Sequence, residues 1–430
     1  MTRVLVLTVG GSDAPIVNAI EQTRSDFVYF LCSGGESPRA SERTIRERVE
    51  TERHRPTCPR CDTAFEVPVF AGPITEKAGL AEESFRVECV EDPDVLDQVT
   101  GACHRIAEHL KDRFGEPSEV YANYTGGTKT MTLGLGLFAY VARPRWILQF
   151  NGGRPRNNLV KIKAGDVAMR QQADGLRVRE VRKRAAELAA RADYAGALAL
   201  LEATIQDLGP QATASLREAR LGYLARAARD RFDLEEARRM ATEAGEDAAS
   251  STKELRDLLR ARELLDHGSP WRPQDVSGRG LVDELVENAE RCAERGRFDD
   301  AVARLYRATE LLSQVRLHRA YGVVAADLAA PSDLWDADTS AWLAARQHPD
   351  SGAVHLGLIG GLDFLRRLGD PLGRRFTRDE KRLLSWIELR NRSILAHGLQ
   401  PVRQTEWRRA GAPWIQWLRE AAADLDLPRP

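Results

Sequence analysis

Near the end of this 430-residue chain, Arg390, Asn391 and His397 stand in the run Glu388-Leu389-Arg390-Asn391-Arg392-Ser393-Ile394-Leu395-Ala396-His397-Gly398. A guanidinium presents a fork of N–H donors that fits a phosphate. An imidazole is the side chain that changes charge near neutral pH and can move a proton. Together they could hold a phosphodiester and shuttle its protons. The surrounding pattern reads as helix. Thr377 followed by Glu380 makes a capping box that starts a helix there, and Gly398 with Pro401 stops it. Leu383, Ile387, Arg390, Ile394 and His397 recur at helical spacing, one stripe of the kind that faces a core or a partner. Arg390 and His397 would then share a face about 10 Å apart along the axis. Polar groups on such a stripe cost stability unless paired or useful. The alternative is a structural one: Arg390 held by a carboxylate such as Glu388, with His397 capping the last carbonyls. Arg392 offers a competing register to His397.

A second set of residues could bind an anion. Gly10-Gly11-Ser12 follows the buried-type strand Val4 to Val9, and Thr125-Gly126-Gly127-Thr128-Lys129 follows the strand Val120 to Tyr124. Each turn leads into a helix. Glycines there let backbone N–H groups approach a phosphate at a helix N-terminus, and Ser12, Thr125, Thr128 and Lys129 would add side-chain contacts. Thr128 stands where a Walker A loop needs glycine before the lysine, and Gly10 to Pro15 does not fit a dinucleotide fingerprint. Two tight turns without a ligand are the structural alternative.

Strand and helix signals alternate through the first 165 residues: strands at 26–32, 67–70, 85–90, 145–150 and 159–163, helices from Pro15, at 94–114 and 131–141, and a long polar helix from about Ser41 to Arg53. That alternation implies a doubly wound α/β domain, whose ligands bind outside the carboxyl ends of the strands. From about 175 the pattern is helical. Three aromatic-plus-alanine helix starts, at Tyr194, Phe232 and Phe298, are unevenly spaced and read as helical hairpins rather than a repeat array. His267 to Pro273 reads as a linker before the last helical domain. The tryptophans at 335, 342, 386, 407, 414 and 417 fit core packing better than base stacking.

Composition narrows the classes. The net charge is −1, so any nucleic-acid contact is local. From Arg366 to Arg409 twelve Lys/Arg face five Asp/Glu, an excess that could hold phosphates or merely solvate a helix face. No apolar run is long enough for a membrane span, and the start reads as a strand rather than a secretory signal. Six cysteines are too few for a disulfide framework, and the expected compartment is the cytoplasm. Cys58-Pro59-Arg60-Cys61 is one half of a zinc knuckle; Cys89, Cys103 or His54 could complete it, but free thiols are the simpler expectation.

Asn123-Tyr124-Thr125-Gly126-Gly127-Thr128-Lys129 resembles the strand–TGGTK–helix segment of CARF domains, the sensor domains of CRISPR accessory proteins. Arg390-Asn391-X5-His397 resembles the R-X4-6-H motif of HEPN ribonucleases. A CARF domain ahead of a HEPN domain is the architecture of the Csm-type and Csx-type ancillary ribonucleases of type III CRISPR systems. The resemblance implies a Rossmann-like α/β sensor (1–170), an all-α helical linker (171–275) and an all-α HEPN domain (276–430). It implies a homodimer in which paired CARF domains bind a cyclic oligoadenylate made by a type III CRISPR complex. Ligand contacts would come from Gly10, Gly11, Ser12, Asn123, Tyr124, Thr125, Gly126, Gly127, Thr128 and Lys129. Two copies of the HEPN helix would form one site that cuts single-stranded RNA without a metal cofactor, Arg390 holding the phosphate, His397 assisting proton transfer and Asn391 positioning the pair. Two rivals stay open: a non-catalytic ligand-sensing regulator with a dimerising or partner-binding helical domain, and an unrelated nucleotide-binding enzyme acting at Lys129.

Overall fold

The computed structural model describes residues 2–35, 40–61, 63–64, 66–115, 119–142, 146–152, 167–245, 249–272, 274–325, 328–329 and 335–426. Two compact units result, Met1–Arg177 and Val178–Pro430.

The first unit is a sheet in the order β5-β2-β1-β6-β7-β8. It is built from β1 (Arg3–Thr8), β2 (Phe27–Ser33), β5 (Phe85–Val90), β6 (Glu119–Asn123), β7 (Trp146–Gly152) and β8 (Val167–Arg170). The first five are parallel and β8 is antiparallel to β7. β1 is apolar on both faces because both are covered. Val4 and Val6 join Tyr29 and Leu31 beneath α4 (Leu96–Phe114) and α5 (Lys129–Val141). Leu5 and Leu7 join Val28 and Phe30 beneath α1 (Ala14–Thr23). The chain winds outward from β1 through β2 to β5, then returns to β6 on the other side. β1 and β6 are therefore neighbours at the point where the strand order reverses.

The expected polar helix from Ser41 to Arg53 is not formed. Only a single turn, α2 (Arg43–Arg46), precedes β3 (Val49–His54). β3 pairs antiparallel with β4 (Val67–Ala71) in a ribbon outside the main sheet, ahead of the short α3 (Ile74–Lys77). β3, Val-Glu-Thr-Glu-Arg-His, has no core face and carries no apolar alternation, which is why it looks helical in sequence, whereas β4 falls on the strand expected at 67–70. The strand expected at 159–163 lies outside the described residues.

Among its described residues the second unit is helical apart from one short β pair. α6 (Asp174–Ala190) leads to α7 (Tyr194–Asp207), α8 (Pro210–Asp230), α9 (Leu234–Ala244), α10 (Ala249–Asp266), α11 (Arg279–Glu294) and α12 (Phe298–Tyr321). The three aromatic-plus-alanine starts fall at helix-to-helix turns, where Ala192 and Phe232 have positive φ and Asp193 and Asp233 cap the next helix. After α12 come β9 (Leu328–Ala329), α13 (Ala337–Ala344), β10 (Ala353–Val354), α14 (Leu358–Arg367), α15 (Pro371–Asn391) and α16 (Gln404–Ala422). β9 and β10 pair antiparallel, so the C-terminal part departs slightly from all-α. One core runs from Ala228 to Leu425. Trp386, Trp414 and Trp417 are buried in it, and Trp342 lies flat against Phe364, so these tryptophans are packing residues.

Candidate functional sites

The two glycine turns meet. Both sit at carboxyl ends of adjacent central strands, and their backbones are in contact. A Cβ added at Gly10 would stand 2.6 Å from the Gly127 nitrogen, and one at Gly126 2.5 Å from the Thr8 carbonyl oxygen. Gly127 has φ +81°, a conformation that favours glycine. Thr8 Oγ1 donates to the Gly126 carbonyl at 2.6 Å and ties the turns together.

Side chains expected to meet a ligand divide into two groups. Asn123 is buried and fully used inside the protein. Its Oδ1 accepts from the Thr125 backbone N–H (3.1 Å) and hydroxyl (2.7 Å), and its Nδ2 donates to Gln149 (3.1 Å) and Asn151 (2.7 Å). That fills the amide's hydrogen-bonding capacity, so Asn123 shapes the turn. Thr125 also accepts from the Asn151 N–H at 2.6 Å. Thr128 caps α5 at Met131 N and donates to the Pro93 carbonyl at 2.8 Å. Tyr124 is half-buried against Phe150. Ser12 and Lys129 are exposed, and neither side chain has a partner among the described residues. Backbone N–H groups of Gly126, Gly127, Lys129 and Thr130 likewise find no acceptor among them. A ring of unsatisfied donors at a helix N-terminus, with an ammonium beside it, is built to take an anion.

The Arg390 region corrects the sequence expectation twice. α15 begins at Pro371, not Thr377: Asp370 caps it by accepting from Leu372 N at 2.9 Å, and Pro371 occupies the first turn. Thr377 lies inside the helix, donating to the Gly373 carbonyl. The helix ends at Asn391, with Arg392 as its cap, before reaching His397. Ile394 and His397 therefore do not continue the stripe. The chain folds back instead. The N–H of Ser393 bonds to Arg390 O, that of His397 to Asn391 O, and that of Gly398 to Ser393 O. Gly398 lies so close to Arg392 that a Cβ would collide with its carbonyl. Ile394, Leu395 and His397 are exposed on this turn.

Arg390 sits in the last turn of α15 with its guanidinium 4.4 Å from the centre of the Tyr306 ring of α12. One Nη donates to Asn391 Oδ1 at 3.2 Å. Its buried Nε has no acceptor, and it makes no ion pair among the described residues. Glu388, the carboxylate that would have made it structural, is exposed. Ser393, at 1% exposure, also keeps an unpartnered hydroxyl. Nearby, Arg392 and Arg403 line a cleft of about 310 Å³. Much of the wider basic excess is spent on ion pairs: Arg375 with Asp424 and Glu420, Arg382 with Asp379, Arg366 with Asp363 and Glu380. Tyr306 carries no motif signal; its place opposite Arg390 emerges only from the packing of α12 on α15.

At the β3–β4 ribbon, Cys58 and Cys61 lie in a tight turn, with Cys58 N donating to Thr63 O. Hydrogen bonds from Thr63 hold the Cys61 thiol below its ordinary pKa. Cys89 is placed 3.4 Å from Cys32 in the sheet and Cys103 is buried in the α4 core. Among the described residues no three His, Cys, Asp or Glu converge on a metal position.

Residues 272–412 match the family model of the Csm6 HEPN domain. The whole fold is similar to that of Enterococcus italicus Csm6 bound to cyclic hexa-2'-fluoro-hexa-dAMP, with a TM-score of 0.61 at 13% identity, covering 99% of this chain and 94% of that one. No curated protein matches the chain in sequence.

Proposed function

We propose that this chain is a CARF–HEPN protein of the Csm6 type, a single-stranded RNA endonuclease switched on by a cyclic oligoadenylate in type III CRISPR antiviral defence. The observation that carries the nuclease is Arg390: a guanidinium stacked on Tyr306, oriented by Asn391, holding a buried Nε without an acceptor. A buried donor left open costs stability unless a ligand fills it, and a phosphodiester oxygen is the matching acceptor. His397, exposed on the following turn, assists transfer of the 2′-hydroxyl proton or protonates the leaving 5′-oxygen. The Arg390 donors stabilise the phosphorane as charge develops. Arg and His suffice for this chemistry without a metal, and the products are a 2′,3′-cyclic phosphate and a 5′-hydroxyl.

Two copies supply the two halves of the site, and the exposed Ile394, Leu395 and Leu399 would be covered on pairing. The activator's phosphates lie on the open N–H groups of Gly126, Gly127 and Lys129, beside Gly10, Gly11 and Ser12. Residues 1–170 act as sensor, 171–275 as linker and 276–430 as nuclease, in the cytoplasm. The test is cleavage of a fluorescent single-stranded RNA in EDTA, with cyclic tetra- and hexaadenylate added separately, comparing the native chain with Arg390→Ala and His397→Ala. Cutting that needs one ring size and vanishes in both variants is expected, with ligand affinity unchanged. Tight ligand binding without cutting by the native chain would replace this proposal with the non-catalytic regulator. Cutting that survives both substitutions would refute the assigned site.

A further inference from the structure

The second unit contains a cavity of about 670 Å³ that shares no residue with either site above. It opens between α12, α10, α11 and the turn joining α8 to α9. Ala303, Arg304, Arg307, Leu311, Gln314 and His318 recur along one face of α12 to form its longest wall. An opening of this size lies within the range of small-molecule pockets.

Its chemistry is specific. Leu281, Leu285 and Phe232 give it an apolar side. Four arginines line it against two aspartates. Three arginines are engaged: Arg262 with Glu235, Arg304 with Asp300 and Arg307 with Glu310. Asp230 is taken up by Arg291 and Arg295 from outside the cavity, at 3.0 and 2.7 Å, while Asp266 is exposed at the rim. The fourth arginine, Arg231, makes no side-chain hydrogen bond or ion pair among the described residues and is exposed. On the α12 wall His318 is 4% exposed. Its Nδ1 is closed off from the open space, so the ring contributes apolar wall. The cavity asks for a flat apolar body and an anionic end for Arg231.

We propose that this cavity binds an aromatic organic anion of the size and chemistry of a nucleoside monophosphate, its ring against Phe232 and the leucines and its phosphate on Arg231. The inference does not rest on the ribonuclease proposal. The test is calorimetric titration of the full chain with AMP, with adenosine and inorganic phosphate as separate probes. Saturable AMP binding is expected, tighter than either fragment by about tenfold or more, the gain of one charge-assisted contact. Arg231→Ala, an exposed position that folding tolerates, should weaken it by about the same factor. Leu311→Trp, which fills the cavity, should abolish it. Lys129→Ala should leave it unchanged, which separates this site from the glycine turns. Failure to saturate, equal affinity in Arg231→Ala, phosphate binding as tight as AMP, or loss in Lys129→Ala would each overturn the assignment.

Discussion

Asp370 joins α15 to α12 through a buried ion pair, and its removal gives a worked prediction. It is fully buried and accepts from Arg316 Nε and Nη2, both at 2.8 Å, from the Tyr321 hydroxyl at 2.9 Å and from Leu372 N at 2.9 Å. Arg316 is itself 1% exposed. Asp370→Ala takes from that buried guanidinium the carboxylate it meets through two nitrogens, while the contact to Leu425 O stays. Breaking a buried pair from one side costs about 3–5 kcal/mol, and loss of the cap adds about 1 kcal/mol. Of the eight tryptophans only Trp146 lies in the first unit, so tryptophan fluorescence during urea unfolding reports the second. With a slope of about 3 kcal/mol per molar urea for a unit of this size, the midpoint should fall by about 1.3–2 M. Replacing the pair together, Arg316→Met with Asp370→Asn, keeps an N-cap acceptor and removes the buried guanidinium. It should return the midpoint to within about 0.5 M of the parent. A single-variant loss below about 1 kcal/mol, or a double variant no better than the single, would refute the argument that breaking this buried ion pair from one side sets the magnitude.

Other outcomes follow from the same geometry. Tyr306→Phe should preserve RNA cleavage, whereas Tyr306→Ala should lower kcat/KM by about threefold to thirtyfold, the range of a partly desolvated cation–π contact; equal loss in both would point to the hydroxyl instead. Gly398→Ala should abolish cutting while leaving activator affinity intact, because its Cβ would strike the Arg392 carbonyl and displace the His397 turn; activator affinity is read by calorimetry. Gly126→Ala should do the reverse, weakening activator binding by forcing the Thr8 strand end away. Burial holds the His318 pKa below its usual 6.5. Its unfolded form then takes up a proton first, so its contribution to stability is complete above that value and is lost as pH falls toward the folded pKa. The urea midpoint by tryptophan fluorescence should drop from pH 7 to 5.5 in the native chain and less steeply in His318→Asn.

What the sequence made legible was what periodicity and turn chemistry control. β1, β2, β5, β6 and β7 stand where apolar runs put them, and both glycine turns lie at the strand ends facing the reversal point. The errors have physical causes. Asp370-Pro371 is a strong cap and first-turn pair, yet the weaker Thr377/Glu380 pattern drew the helix start because its spacing matched the capping box. The stripe through Ile394 was an accident of spacing, since Ile394 is 58% exposed. Asn391 and Ser393, residues that prefer helix ends to helix interiors, were the overlooked signal for the earlier stop. Asn123 looked like a ligand residue because it sits at a strand end; only three-dimensional neighbours, Gln149 and Asn151, reveal that its amide is spent. Tyr306, 84 residues before Arg390 in sequence, could not be linked to it by any local pattern.

The early end of α15 has a consequence for how such a motif can vary. Had His397 stayed on the helix, each residue added between it and Arg390 would have swung the imidazole by about 100° around the axis, and two would have carried it to the far side. Because the histidine hangs from a turn that begins at Arg392, an added or lost residue alters the length of a leash instead of a phase angle. A pattern written with four, five or six intervening residues is then one design with adjustable slack, anchored at the arginine and free to trim its other end.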